Sequence, residues 1–202
     1  MKLLSAAGHR CMPWKNGKGE TVEIAISPEG AALSEFDWRL SMASVTEPGP
    51  FSPFPGIARV LAIVSGGGLQ LTLSGRDVRV ERHGQAIAFS GTETVTSVPF
   101  DGPVRDLNLM VREGRYLAGI ERLPGEGSQT LAVAEGVTFI VALSSCRVIH
   151  ENTVLPLEPL DALRLDPGDP QVRLEGDGGH YEVLVARVSE ASLPMTDLPE
   201  AN

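Results

Sequence analysis

The chain reads as an all-β protein built as two stacked barrels. Three observations predict this. Short apolar or alternating runs recur along nearly the whole sequence. Gly, Pro, Asp and Ser separate them, with 22 glycines and 15 prolines to supply the turns. The order of an apolar strand, a small-residue turn and a second strand, clear at 60–73, returns more weakly at 139–150.

In chain order, the first series predicts strands over 21–26, 36–45, 58–64, 69–73, 78–81, 86–89, 95–98 and 105–112. Residues 36–45 alternate: Phe36, Trp38, Leu40 and Met42 share one face, and Asp37, Arg39, Ser41 and Ala43 the other. Residues 60–64 are a continuous apolar run, as a strand covered on both sides requires. In 105–112, Leu107, Leu109 and Val111 share a face opposite Asp106, Asn108, Met110 and Arg112. The second series runs over 129–134, 138–143, 147–150, 161–165, 171–174 and 181–188, with fewer polar inward positions. Residues 13–18 suit one helical turn, and 115–123 a short linking helix or strand. The predicted division is an N-terminal barrel over 1–125 holding the pocket, a shorter C-terminal barrel over 126–190, and a tail over 191–202.

Composition excludes several functions. The net charge of −9 and only three lysines, with no basic run, argue against nucleic acid as a partner. The longest apolar run is far short of the roughly 20 residues that cross a bilayer, and no secretory leader is read, so no membrane partner and a cytoplasmic location are expected. Cys11 and Cys146 are far apart without a CxxC; their spacing leaves pairing open, and a cytoplasmic location implies reduced thiols. His9, His83, His150 and His180 are dispersed, so no metal site is expected, and no dinucleotide or nucleophile-elbow motif signals a cofactor.

Polar residues gather near three strands. Asp106 and Asn108, two apart on a face that can pack, need partners if that face is buried, because an unsatisfied buried polar group costs roughly 1–3 kcal/mol. A ligand meets that need; so does a structural ion pair with an arginine. The glycine-rich loop Trp14-Lys15-Asn16-Gly17-Lys18-Gly19 suits either a surface turn or a set of N–H donors to a carboxylate. The stretch FSPFPGIARVLAIVSGGG, residues 51–68, carries the most information. Its apolar run ends in the turn Gly66-Gly67-Gly68, which resembles the first motif of a metal-binding cupin barrel. Arg59, seven residues before Gly66, stands where that pattern has its carboxylate, and Ser52 and Phe54 stand near its two histidine positions. A guanidinium in place of a carboxylate predicts a small anionic ligand instead of a metal.

MPWKNGKGETVEIA at 12–25, FDWRLSMASVTEPGPFSPFPGIAR at 36–59 and DLNLMVREG at 106–114 resemble the HutD/Ves family, small accessory proteins of bacterial histidine utilisation. The resemblance is strong over the first two-thirds of the chain. It implies a cupin-type double β-barrel (a bicupin of the RmlC-like jelly-roll kind) and a pocket for an acidic compound such as urocanate or a formylated glutamate derivative. One departure is Leu107, where the family strand usually carries Phe.

The leading expectation is a carboxylate-binding protein. Arg59 clamps the carboxylate; Ser41 and Asn16 donate hydrogen bonds; Asn108, Asp106 and Arg39 line the pocket; and Trp14 or Trp38 forms an apolar wall. The rival is a metal-independent enzyme acting on a formyl or formimino group, with Asp106 or Glu23 as general acid or base. Residues 69–73 read as a sheet edge, which would allow a homodimer.

Overall fold

Period-two alternation in three neighbouring strands organises the molecule. The computed structural model describes residues 1–14, 19–133 and 135–191. In chain order the strands are β1 (Lys2–Leu4), β2 (Arg10–Pro13), β3 (Gly19–Ser27), β4 (Trp38–Val45), β5 (Gly49–Pro50), β6 (Ile57–Ser65), β7 (Gly68–Leu73), β8 (Arg76–Glu81) and β9 (Ile87–Ser90). They continue as β10 (Val95–Phe100), β11 (Val104–Arg112), β12 (Tyr116–Leu131), β13 (Val137–Ala142), β14 (Cys146–His150), β15 (Thr153–Leu157), β16 (Ala162–Leu165) and β17 (Val172–Glu190). A 3-10 turn at Ala6–Gly8 is the one helical element among the described residues.

Three sheets result. A six-stranded sheet runs β2-β3-β4-β11-β6-β9, and a four-stranded sheet runs β5-β10-β7-β8. A seven-stranded sheet runs β1-β16-β13-β17-β14-β15, with β12 also paired to β17. The ladders are antiparallel throughout. The chain is therefore all-β, as expected, and the expected strands recur within a residue or two at most ends. The first strand, β1, pairs with β16, so the start of the chain is stitched into the sheet made by its end.

The six-stranded sheet buries both faces. On one, Trp38, Leu40 and Met42 of β4, Val60, Ala62 and Val64 of β6 and Leu107, Leu109 and Val111 of β11 pack against Phe139, Val141, Ala162, Leu184 and Ala186 of the seven-stranded sheet. Trp38 meets Phe139 edge-on, ring centroids 5.5 Å apart. On the other, Leu61, Ile63 and Val45 join Leu69, Leu71, Leu73, Val80 and Val95 of the four-stranded sheet. A separate cluster of Ile140, Val148, Leu163, Leu174, Val183 and Val185 fills the inside of the seven-stranded sheet. Arg122 of β12 ties the sheets together: its guanidinium donates to Glu182 Oε1 at 2.7 Å and to the Ile63 carbonyl of β6.

Several expectations change. Residues 69–73 are not an edge: β7 lies between β10 and β8, so its backbone groups are used within the sheet. The 115–123 segment is strand, and position 125 falls inside β12. β17 is one continuous strand spanning both 171–174 and 181–188, because β12 pairs with it along nearly its full length. Residues 10–13 are strand; 15–18, with the rest of the expected helical turn, lie outside the described residues, as does 192–202. The triple-glycine turn is required where it stands. Gly66 takes φ +91°, and a Cβ on Gly68 would strike the Val80 carbonyl. Cys11 and Cys146 form no disulfide.

Phe139 is fully buried at the contact between the two large sheets. Phe139→Ala is expected to lower unfolding free energy by about 3–5 kcal/mol in urea titration; a loss below about 1 kcal/mol would mean that this sheet contact contributes little.

Candidate functional site

The polar side of the β4–β11–β6 ladder opens into a cavity. Register sets three rows across it. Arg39, Met110 and Arg59 form one; Ser41, Asn108 and Leu61 the next; Ala43, Asp106 and Ile63 the third. A bulge between Arg105 and Asp106 ends the regular pairing there. The cavity holds about 560 Å³ and is lined by Arg39, Ser41, Arg59, Asp106, Asn108 and Met110 together with Trp14, Thr21, Leu33, Ser97 and the 47–52 segment. That volume suits a small metabolite.

Arg59 is only 7% exposed. Among the described residues its one hydrogen bond runs from Nη1 to the Ser52 carbonyl and is long, at 3.4 Å, and the buried Nε has no partner there. Three rings surround the guanidinium: Phe51 and Phe89 with centroids at 5.0 Å, and Phe54 at 5.8 Å. Phe89 is delivered by β9, whose register sets it opposite Arg59. Ring faces attract the cation but cannot satisfy its N–H donors. Among the described residues no carboxylate lies within 4 Å of it, and burial lowers its pKa to about 10 despite the attraction of Asp106.

The other charges are arranged differently. Arg39 Nε donates to Glu23 Oε2 at 2.7 Å, both side chains largely buried, so this guanidinium is already compensated. Asp106 is 1% exposed, and burial pushes its carboxyl up to about 7, partly offset by Arg59. Asp106 Oδ1 and Asn108 Oδ1 are buried without a hydrogen-bond partner among the described residues. Trp14 is fixed at the cavity wall by Nε1 donating to Thr21 Oγ1 at 2.9 Å.

Of the residues singled out from sequence, Arg59, Arg39, Ser41, Asp106, Asn108 and Trp14 line one cavity. Glu23 is engaged by Arg39, and Asn16 lies outside the described residues. Trp38 is a correction: it faces the core between the sheets, packed on Phe139, because it alternates with Arg39 on β4. The phenylalanine wall was not anticipated. Its signal was present in the spacing of Phe51 and Phe54 before Arg59, but Phe89 arrives only through the β6–β9 pairing. A divalent metal does not fit this cup: two guanidiniums, an amide, a few hydroxyls and the carboxylates of Asp106 and Glu47, with no histidine or thiolate, are a poor donor set, and no cluster of three His, Cys, Asp or Glu side chains occurs among the described residues.

Comparison with known proteins places the chain by family and fold. The HutD family model matches residues 6–182. An uncharacterised 21.2 kDa protein in the hutC 3' region of Pseudomonas putida is 36% identical over 179 residues, 88% of this chain and 93% of that one. The structure of HutD from Pseudomonas fluorescens SBW25 in a formate condition superposes with a TM-score of 0.78 at 28% identity, covering 94% of this chain and 98% of the other. A cupin 2 conserved barrel domain protein from Leptotrichia buccalis gives a TM-score of 0.58 at 10% identity over 88% and 92% of the two chains, a likeness of fold alone.

The Asp106 carboxyl yields a signed test. Below about pH 4 it is protonated in folded and unfolded chains alike, the ordinary value being 3.8. From there to about 7 the folded chain keeps a proton that the unfolded chain has lost. Its contribution to stability therefore falls as pH rises, by at most about 1.4 kcal/mol per unit. Asp106→Asn removes that slope, so the variant should gain on the wild type between pH 4 and 7 when urea midpoints are compared; a constant gap across the range is the contrary result.

Proposed function

The chain belongs to the HutD family, and on that footing we propose that its cup binds a small carboxylate. One observation carries this reading: Arg59 is buried, ringed by phenylalanines and short of hydrogen-bond acceptors, beside an open cavity. A planar guanidinium in that condition gains most from two parallel bonds to a carboxylate. Burial removes competing water and strengthens each bond. Ser41 and Trp14 complete the wall around the bound acid. The family's association with the histidine-utilisation locus supports an acidic compound of that pathway as the ligand: urocanate, or a formylated or formimino glutamate. The protein would then act in the cytoplasm as a binding protein that limits an intermediate or the operon answering to it.

A second reading has its own support. Asp106 is buried in the same cavity with a pKa of about 7, the poise that general acid–base work favours. A metal-independent step on a formyl or formimino group would use it. Turnover of formiminoglutamate, abolished by Asp106→Asn while binding persists, would favour the enzyme.

Isothermal titration with urocanate, formiminoglutamate and histidine tests the binding reading. At least one acid is expected to bind, and Arg59→Met should weaken it by about 100-fold or more, the equivalent of two charge-assisted bonds at about 1.5 kcal/mol each. Unchanged affinity in Arg59→Met would remove the clamp from the account.

A further inference from the structure

We propose that a second cavity, separate from the cup, binds a small primary ammonium ion with a short apolar tail, and that the Glu182 carboxylate receives its charge. This cleft of about 540 Å³ lies on the face of β6 that carries Ala62, opposite the face of Leu61 and Ile63, and shares no lining residue with the cup. It opens between the 82–86 loop, which joins β8 to β9, and the paired strands β12 and β17. Ala62, Ala86, Ile120 and Leu184, all part of the inter-sheet core or packed against it, give the cleft an apolar floor.

Register builds the polar wall above that floor. Arg122 of β12 stands opposite Leu184, and Glu182 of β17 stands opposite Pro124, so the two charges meet diagonally on one face. The Glu182 backbone is fixed: its N–H donates to Ser144 Oγ at 2.9 Å, and its carbonyl accepts from the Leu143 N–H at 2.9 Å. The Arg122 guanidinium is already spent. Nη1 donates to Glu182 Oε1, Nη2 donates to the Ile63 carbonyl, and Nε is shut away from solvent. The carboxylate is not spent. An ionised carboxylate offers about four acceptor positions; among the described residues Oε1 takes one hydrogen bond and Oε2 none. Glu182 is also the more open member of the pair, with its side chain 20% exposed against 11% for Arg122.

The cleft therefore has acceptor capacity and no guanidinium donor to spare. His83 at its mouth does not fill that capacity: Nδ1 is 3.6 Å from Glu182 Oε1, beyond a hydrogen bond, on a side chain 74% exposed. Glu121, the other carboxylate of the lining, is held by Arg187 at 3.2 Å. An anion entering here would meet Glu182 with no free guanidinium N–H to offset the repulsion. A divalent metal would find a single carboxylate already tied to an arginine. An ammonium is compact, brings three donors and suits the open oxygen, while its tail covers the floor. The net charge of −9 favours cations at long range as well.

Amide chemical-shift titration of the full chain tests this with three ligands of one shape: butylammonium, n-butanol and butyrate. Butylammonium should bind saturably, with a Kd on the order of 1 mM, and shift the Gly84 and Gln85 amides. It should be preferred over n-butanol by about tenfold or more, and butyrate should leave those amides unmoved. No saturation by butylammonium, equal binding of n-butanol, or shifts centred on Ser41 and Asn108 of the cup overturns the proposal. Glu182→Gln keeps an acceptor for Arg122 and removes the charge. The preference should then fall to about threefold or less, and an undiminished preference removes Glu182 from the role. Should that variant not fold, Ala86→Leu fills the floor without touching the ion pair and should weaken butylammonium by about fivefold or more; unchanged affinity there overturns the cleft as the site.

Discussion

A guanidinium has been taken out of water without a counter-ion at its side, and the surrounding structure is organised to hold it there. Burying a lone cation is expensive unless its donors are met or its charge is neutralised. Arg59 has aromatic faces on three sides, a distant carboxyl and one long bond to a carbonyl. Arg39, in the same strand row, makes the contrast plain: Glu23 compensates it at 2.7 Å. Two arginines of the same cup thus have different tasks. One is a structural ion pair that shapes the wall, and the other is left under-bonded toward the cavity.

That arrangement is stable because the opposite face of the same strands is anchored. Each cup-facing side chain alternates with an apolar one packed on the seven-stranded sheet: Arg39 between Trp38 and Leu40, Arg59 beside Val60, Asn108 between Leu107 and Leu109. Sheet-to-sheet burial offsets the cost of polar groups that are only partly satisfied. The inside of the C-terminal sheet is filled by aliphatic side chains and Tyr181, and β1 joins it to the other end of the chain. Its contribution is support: a rigid back wall against which three strands hold polar residues in register.

Much of this was legible in the residues. Alternation over 38–45 and 106–112 assigned the faces of β4 and β11, including the turn of Leu107 away from Asp106 and Asn108, because period two holds along a regular strand; Phe36, placed by the same alternation beside Trp38, precedes β4 and packs instead with Ile57 and Met110. The resemblance of 51–68 to a cupin motif singled out Arg59, and Arg59 lines the cavity. What escaped was pairing at a distance. Nothing local in Phe89 says that it will stack on Arg59, nothing in Lys2–Leu4 says that it will pair with β16, and nothing in 69–73 says that two partners will flank it. The use of Trp38 as a cavity wall contradicted the alternation itself, which had already put it opposite Arg39.

In the resemblance to metal-binding cupins, three positions before the apolar run carry the metal; here they are Ser52, Phe54 and Arg59. The backbone still converges them: Ser52 offers its carbonyl to Arg59, and Phe54 turns a ring toward the guanidinium. Asp106 then acquires a different meaning. Among the described residues it makes no ion pair with Arg59 within 4 Å, and burial raises its pKa with only partial offset by that guanidinium. The cavity thus sets a buried guanidinium on β6 and a buried carboxyl on β11 two strand rows apart, which makes its two ends chemically unlike.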